Sequence, residues 1–234
     1  TEDGLERVCQ ALTTIGRPDA LIFDMDGVMV DVSESYRAAI VATAARFGVE
    51  VTRDMIADRK AQGNANNDWV VTRDLITAAG IPVSLEEVTT TFEDLYQGDA
   101  DVPGLREKER LTAPRSFYES LKKRFKLGIV TGRPRSDAMF LLEKHNLTDL
   151  FSSVVCMEDA ALKPSPEPVL RACGELNTSH AWMFGDTPDD IRAARAARVL
   201  PIGVAAPGEL PEHAQQTLMA VGAARVVDRR LARR

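Results

Sequence analysis

Three aspartates crowd the stretch LIFDMDGVMVDV at residues 21–32. Leu21, Ile22 and Phe23 form the apolar run of a buried strand, and Asp24, Asp26 and Asp31 follow at once. Carboxylates packed at the end of a core strand repel one another unless something positive joins them. A second acidic group, GDTPDD at 185–190, follows another apolar run, AWMF. Asp24 and Asp186 then stand at comparable edges of neighbouring strands, where one cation binds both. An oxygen-only donor set with room for water suits Mg2+. Two further strand ends carry polar groups: Thr131-Gly132-Arg133 after FKLGIV, and Lys163 in LKPSPEP. Taken singly, each has an ordinary reading. An aspartate after a strand is usually a turn residue, and GDTPDD is a well-capped helix start with Pro188 in its first turn. Thr131-Gly132 is a common turn, and a lysine before proline is usually solvated. All four together, in this order and each at a strand's carboxyl end, point to catalysis.

The elements that must position them alternate. Strands are predicted at 20–25, 125–132, 152–156, 181–186 and 201–206, with helices at 133–147, 165–176 and 187–198. That pattern gives an α/β fold: a Rossmann-like parallel sheet with helices on both faces, whose ligands bind beyond the carboxyl ends of the strands. Between the first and second strands the chain reads as helical, over 33–47, 52–63, 68–80 and 84–98. Each of these runs stops at a glycine, as helices often do. Ser84 with Glu87 makes a capping box, and DADVPG at 99–104 suits a hinge. The expected organisation is therefore a core domain from 1–31 and 104–234, with an inserted helical cap at 32–103. A short amphipathic helix is also expected over 5–16.

Composition excludes little else. The 234 residues are 44% hydrophobic and 27% charged, with a net charge of −6. Excess acid argues against nucleic acid as a partner. The basic runs at 122–126 and 229–234 read as a solvated helix end and a tail. Cys9, Cys156 and Cys173 have no metal-site spacing and read as reduced thiols. No apolar run reaches membrane-spanning length and no signal peptide is visible, so the expected location is cytoplasmic. The chain begins at Thr1, which leaves open a removed upstream segment. A monomer or homodimer is expected, with no membrane partner.

The segments DMDGV, VTGRP, KPSPEP and GDTPDDI resemble the four motifs of the haloacid dehalogenase (HAD) superfamily, in order and across essentially the whole chain. The helical insert resembles the C1-type cap of its phosphoglycolate phosphatase and β-phosphoglucomutase branches. GNANNDW and PGLREKERL are similar to a small clade of hypothetical phosphatases. The resemblance implies a HAD-type fold and a role for each motif residue. Asp24 would attack phosphorus and form an aspartyl phosphate. Asp26 would protonate the leaving oxygen and later activate water, while its main-chain carbonyl joins the Mg2+ ligands. Thr131 and the Gly132 amide would hold phosphoryl oxygens, and Lys163 would sit between Asp24 and the phosphate. Asp186 would complete the metal ligands, with Asp190, in preference to Asp189, in the outer shell. In this superfamily an aspartate two residues after the nucleophile marks phosphatases and phosphomutases. The expected activity is thus Mg2+-dependent hydrolysis of a small phosphorylated metabolite, with a β-phosphoglucomutase-like mutase as the alternative.

The cap should set specificity. Lys60, Asn64, Asn66, Asn67 and Trp69 crowd one loop, exceeding what capping requires, although Asn67 or Asp68 would cap the next helix and Trp69 would pack on the core. Arg133 is placed either against the leaving group or as an exposed helix-start arginine, and Asp31 reads as a helix-start or hinge residue. A zinc-loop histidinol-phosphate phosphatase is disfavoured because no Cys/His loop is present. An imidazoleglycerol-phosphate dehydratase is disfavoured because three scattered histidines cannot build its metal sites. A receiver-like signalling module would carry its phosphorylated aspartate on a later strand, and a non-catalytic scaffold would show eroded motifs.

Overall fold

Strand β1 (Ala20–Phe23) is buried along its whole length, as a central strand of a parallel sheet must be. Its residues alternate between two cores. Leu21 and Phe23 face one, while Ala20 and Ile22 face the other. The computed structural model describes residues 16–63 and 67–227 of the chain. Within them the chain continues through β2 (Val30–Asp31), α1 (Tyr36–Arg46), α2 (Arg53–Ala61), α3 (Asp68–Ala78), α4 (Leu85–Gln97), β3 (Arg110–Leu111), α5 (Arg115–Lys122), β4 (Lys126–Val130) and α6 (Arg135–Lys144). It ends with β5 (Ser153–Val155), α7 (Glu167–Glu175), β6 (Ala181–Gly185), α8 (Pro188–Ala196), β7 (Leu200–Val204), α9 (Pro211–Ala220) and β8 (Arg225–Val227).

Six strands form one sheet in the order β5-β4-β1-β6-β7-β8, with every neighbouring pair parallel. The strands expected from the sequence lie in it, and β8 adds one more. Ala138 and Leu141 of α6 pack on the Leu21/Phe23 side, and Val169 of α7 and Ala193 of α8 on the Ala20/Ile22 side. Helices therefore cover both faces. The strand order switches sides at β1, which pairs with β4 on one side and β6 on the other. Phe23 is in register with Ile129 and with Phe184, so the residues after these three strands meet at one edge.

Helices α1 to α4 occupy the interval between β2 and β3. Their starts obey local chemistry. The Thr52 side chain accepts from the Met55 amide, Asn67 from Trp69 and Val70, and Ser84 with Glu87 forms a complete capping box. Tyr36, Phe92 and Tyr96 pack between α1 and α4, with the Tyr36 and Tyr96 ring centroids 4.3 Å apart. Arg59 pairs with Asp74 at 2.9 Å and joins α2 to α3. The connections into and out of this helical group are tied by a two-stranded antiparallel ribbon, Val30 opposite Leu111 and Asp31 opposite Arg110. The ribbon, α9 and β8 have no counterpart in the sequence reading, and of α5 it has only the basic end at 122. The helix expected over 5–16 falls, but for Gly16, outside the described residues.

Candidate active site

The turn after β1 is tight. The Met29 and Val30 amides both donate to the Met25 carbonyl, and Gly27 takes a φ of +74°. That conformation favours glycine, and so does the space. A Cβ on Gly27 would stand 1.8 Å from Asp186 Oδ2. Removing one methyl thus lets the carboxylate of the β6 end lie against the turn of the β1 end.

Asp24 follows β1 directly, and its amide donates to the Phe184 carbonyl at 2.8 Å. Lys163 Nζ donates to Asp24 Oδ1 at 2.7 Å, to Asp190 Oδ1 at 2.5 Å and to the Val130 carbonyl at 3.3 Å. The other oxygen of Asp190 accepts from the Thr187 amide and hydroxyl, at 2.9 and 2.6 Å, in the capping box of α8. Asp24, Asp186 and Asp190 each bring one carboxylate oxygen within 4.8 Å of the others. Thr131 is buried beside them. Its amide donates to the Val155 carbonyl at 3.0 Å and its hydroxyl accepts from the Arg133 amide at 3.2 Å.

This corner is short of positive charge. Burial, reinforced by Asp190, Asp186 and Asp26, raises the Asp24 carboxyl well above the ordinary carboxylate range, although Lys163 opposes the shift. Burial and then Asp190 push Asp186 up to about 7. Lys163 is desolvated, yet Asp190 and Asp24 outweigh that and hold it firmly protonated. Hard oxygen donors gathered with too few cations make a set that fits a divalent ion such as Mg2+.

A cavity of about 400 Å3 opens beside Asp186, with Arg37, Arg53, Lys60, Thr187 and Glu209 in its lining. Lys60 pairs there with Asp68 at 2.8 Å. Burial works against its charge, but Asp68 more than offsets this and raises its pKa. A smaller cavity of about 30 Å3 is lined by Asp26, Asn67, Trp69, Gly132 and Arg133. Asn67 Oδ1 is occupied in capping α3, accepting from Trp69 and Val70 at 3.0 and 3.2 Å. Trp69 Nε1 donates to Glu93 at 2.9 Å. Asn64 and Asn66 lie outside the described residues. Asp31 accepts from the Ser33 amide at 3.0 Å and sits in the ribbon opposite Arg110. Asp189 pairs with Arg192 at 3.2 Å.

Arg133 is not an exposed helix-start residue, being 2% exposed, and its guanidinium is bound by protein groups. Nε donates to Asp26 Oδ1 at 2.7 Å, and NH2 lies 2.6 Å from the same oxygen. NH1 and NH2 each donate at 2.9 Å to the two oxygens of Glu109, and NH1 also reaches Tyr96 Oη at 3.3 Å. The ring of Tyr36 lies 4.7 Å beneath the guanidinium. Sequence reasoning missed Glu109, Tyr36, Tyr96 and Arg37. No local pattern marks them, because their partners come from distant parts of the chain.

Comparison with known proteins agrees with this arrangement. The profile of the haloacid dehalogenase-like hydrolases matches residues 18–198. A protein of Phytophthora nicotianae named imidazoleglycerol-phosphate dehydratase is 45% identical over 212 residues, covering 87% of this chain. The chain spans only 47% of that relative's length, so about half of the relative has no counterpart here. The phosphorylated carbohydrates phosphatase of Thermotoga maritima is 29% identical, with 77% of this chain and 82% of the relative covered. A hydrolase structure from Pseudomonas syringae superposes with a TM-score of 0.70 at 20% identity, over 89% of this chain and 93% of that one, and shares the fold. With its profile match running from before β1 to the end of α8, the chain belongs to the haloacid dehalogenase-like hydrolases.

Proposed function

We propose that the protein is a Mg2+-dependent phosphatase that hydrolyses a small phosphomonoester through an aspartyl phosphate. The observation that carries this reading is the Lys163 ammonium bridging Asp24 and Asp190 beside Asp186, at the strand edge where Thr131 also ends a strand. The phosphatase relative from Thermotoga maritima supports the reaction class. The dehydratase name belongs to a protein twice as long, and nothing of that activity is carried over.

Asp24 attacks phosphorus with one carboxylate oxygen, forming an O–P bond as the ester P–O bond breaks. Asp26 gives the departing oxygen its proton, then takes one from the water that cleaves the acyl phosphate. Thr131 and the Gly132 amide hold phosphoryl oxygens, and Lys163 keeps the nucleophile and the phosphoryl group from repelling each other. Asp24, the Asp26 carbonyl and Asp186 would hold Mg2+, which supplies charge neutralisation there, with Asp190 orienting Lys163 from outside. Phosphoryl transfer needs mainly positioning and charge compensation, and this inventory provides both.

The same reading divides the chain into a core, 1–31 and 104–234, and a cap, 32–103, whose Lys60, Asn64 and Asn67 meet the leaving group. It places the enzyme in a reducing, cytosol-like compartment, where Cys156 and Cys173 remain buried thiols. The test is phosphate release from a panel of phosphorylated metabolites with Mg2+, beside an Asp24→Asn control. Asp24→Asn should abolish turnover while the protein stays folded. Retention of even about a tenth of the rate would sink the nucleophile assignment, since losing a covalent nucleophile costs far more. Accumulation of a sugar bisphosphate without net phosphate release would favour the mutase.

A further inference from the structure

The Arg133 network lies beside the acidic trio but belongs to a different part of the mechanism. Its three guanidinium nitrogens are all engaged, two of them on one oxygen of Asp26 and two of them on Glu109. Arginine has five N–H donors in a fixed planar fork and no acceptor. That fork is filled by two carboxylates and a tyrosine hydroxyl, and the Tyr36 ring covers one face of the guanidinium. It fixes the carboxyl plane of Asp26 by holding Oδ1 alone. Among the described residues no hydrogen bond is formed to Oδ2, which belongs to a side chain 27% exposed.

The residues holding Arg133 come mostly from the helical insert and its return connection. Tyr36 is the first residue of α1, Tyr96 is near the end of α4, and Glu109 immediately precedes β3. The chain of contacts continues outward. Tyr36 Oη donates to Asp137 at 2.8 Å, Gln97 Nε2 donates to the other Asp137 oxygen at 2.8 Å, and Arg106 binds Gln97. The Glu109 side chain is fully buried, so the pair is shielded from solvent and its geometry is held firmly.

We infer that Arg133, clamped by Glu109 and Tyr96, is a positioning residue that sets the proton-donating carboxyl of Asp26 and ties it to α1, α4 and the return connection. The inference rests on the reading of Asp26 as the acid and base. It makes the proton-transfer geometry depend on where the helical insert sits, whereas Lys163 holds Asp24 together with Asp190 of α8 and the Val130 carbonyl of β4.

The leaving group supplies a test that a merely structural role would not pass. An alkyl phosphate expels a strongly basic alkoxide and needs the proton from Asp26. A p-nitrophenyl phosphate expels a stable anion and needs it little. kcat/KM reports the first phosphoryl transfer, whereas kcat also contains the water step that needs Asp26 with either ester. For Arg133→Met, kcat/KM should fall roughly ten- to a hundredfold on the alkyl ester, part of the 10²–10⁴ that general acid catalysis provides, and by less than about threefold on the aryl ester. kcat should fall on both.

Arg133→Met strands the buried Glu109 charge and could fail to fold. The double variant Arg133→Met/Glu109→Gln removes that charge while keeping an acceptor for Tyr96, whose Oη donates to Glu109 Oε1 at 3.0 Å. It should fold and show the same split between esters. Equal losses of kcat/KM on the two esters in the folded double variant, or full recovery on the alkyl ester, would overturn the inference. Asp26→Asn serves as the reference. A split in Asp26→Asn without one in the Arg133 variants defeats the positioning role alone. No split in Asp26→Asn defeats the acid–base reading of Asp26, and the inference with it. Failure of the unaltered protein to hydrolyse either ester defeats the phosphatase reading itself.

Discussion

Two buried charge clusters branch from the turn after β1, and they are compensated differently. Asp24, Asp186 and Asp190 gather three carboxylates around one ammonium, Lys163. Asp26 and Glu109 gather two around one guanidinium, Arg133, which also meets a tyrosine hydroxyl and lies over an aromatic face. In the first cluster burial and mutual repulsion win, and the Asp24 and Asp186 carboxyls are pushed up. In the second the fork of the arginine matches the carboxylate of Glu109, and each nitrogen has a partner. A lysine is a point charge and an arginine a rigid template. The first cluster is therefore incomplete by itself and suits a cation, whereas the second is complete and suits the job of holding something still.

Removing the cation should break this contrast most severely. Exhaustive chelation is expected to abolish turnover, with Mg2+ restoring it. Ca2+, which accepts more ligands and draws in both oxygens of a carboxylate, is expected to fail. The charge deficit also fixes a pH dependence for the metal-free protein. Asp186 is raised to about 7 and Asp24 is raised as well. A carboxyl raised by folding binds more protons folded than unfolded across the window between the two pKa values. Its contribution to stability is thus fully present below the ordinary carboxylate range and is lost as pH climbs through about 7. The Tm of the metal-free protein should fall between about pH 5 and pH 8, and Mg2+ should raise it more at the upper end. A Tm that climbs over this range, with equal Mg2+ stabilisation at both ends, would contradict the charge-deficit account.

Lys60 tests whether the larger cavity beside the first cluster recognises substrate. Its ammonium is held by Asp68 at 2.8 Å, on a wall shared with Asp186. A leaving group reaching this wall gains a charged hydrogen bond worth about 1.5–3 kcal/mol, so Lys60→Ala should lower kcat/KM on the physiological ester roughly ten- to a hundredfold. A small aryl phosphate that hardly reaches the wall should lose much less. Parallel losses on both esters with a lower Tm would assign Lys60 to the Asp68 pair and to scaffold alone.

Five strands of the sheet were legible because they are short apolar runs, whereas β8 (Arg225–Val227), three residues long and only partly buried, was not. The helical insert was legible because its helices carry their own punctuation. Thr52, Ser84 with Glu87, and glycines such as Gly80 and Gly98 do local work that needs no tertiary partner. The ribbon of Val30–Asp31 and Arg110–Leu111 was not legible, because two residues have no periodicity and its pairing spans the whole insert. Arg133 shows the same limit at the site. Its place after β4 suggested a side chain turned towards a ligand or solvent. Its actual position follows from Glu109, Tyr96 and Asp26, which lie 24, 37 and 107 residues away in the chain. Charge type and strand end can be read locally, but which cation finds which carboxylate depends on packing.

Asn67 gives the smallest effect and the sharpest division between holding a helix and meeting a ligand. Its Oδ1 accepts from the Trp69 and Val70 amides, while the residue also lines the small cavity with Asp26 and Arg133. Capping engages only that oxygen, and serine supplies an equivalent acceptor at an N-cap. Asn67→Ala should therefore cost about 1 kcal/mol of stability, seen as a lower Tm, and Asn67→Ser should recover most of it. Neither variant carries the amide NH2 that an oxygen of the leaving group would accept from. If Asn67 meets the leaving group, Asn67→Ser keeps its Tm yet loses roughly three- to tenfold in kcat/KM on the physiological ester, the scale of one neutral hydrogen bond. The measurement is a thermal melt paired with kcat/KM for both variants. Recovery of Tm and kcat/KM together in Asn67→Ser would reduce Asn67 to a helix cap and leave recognition to the Lys60 side of the insert.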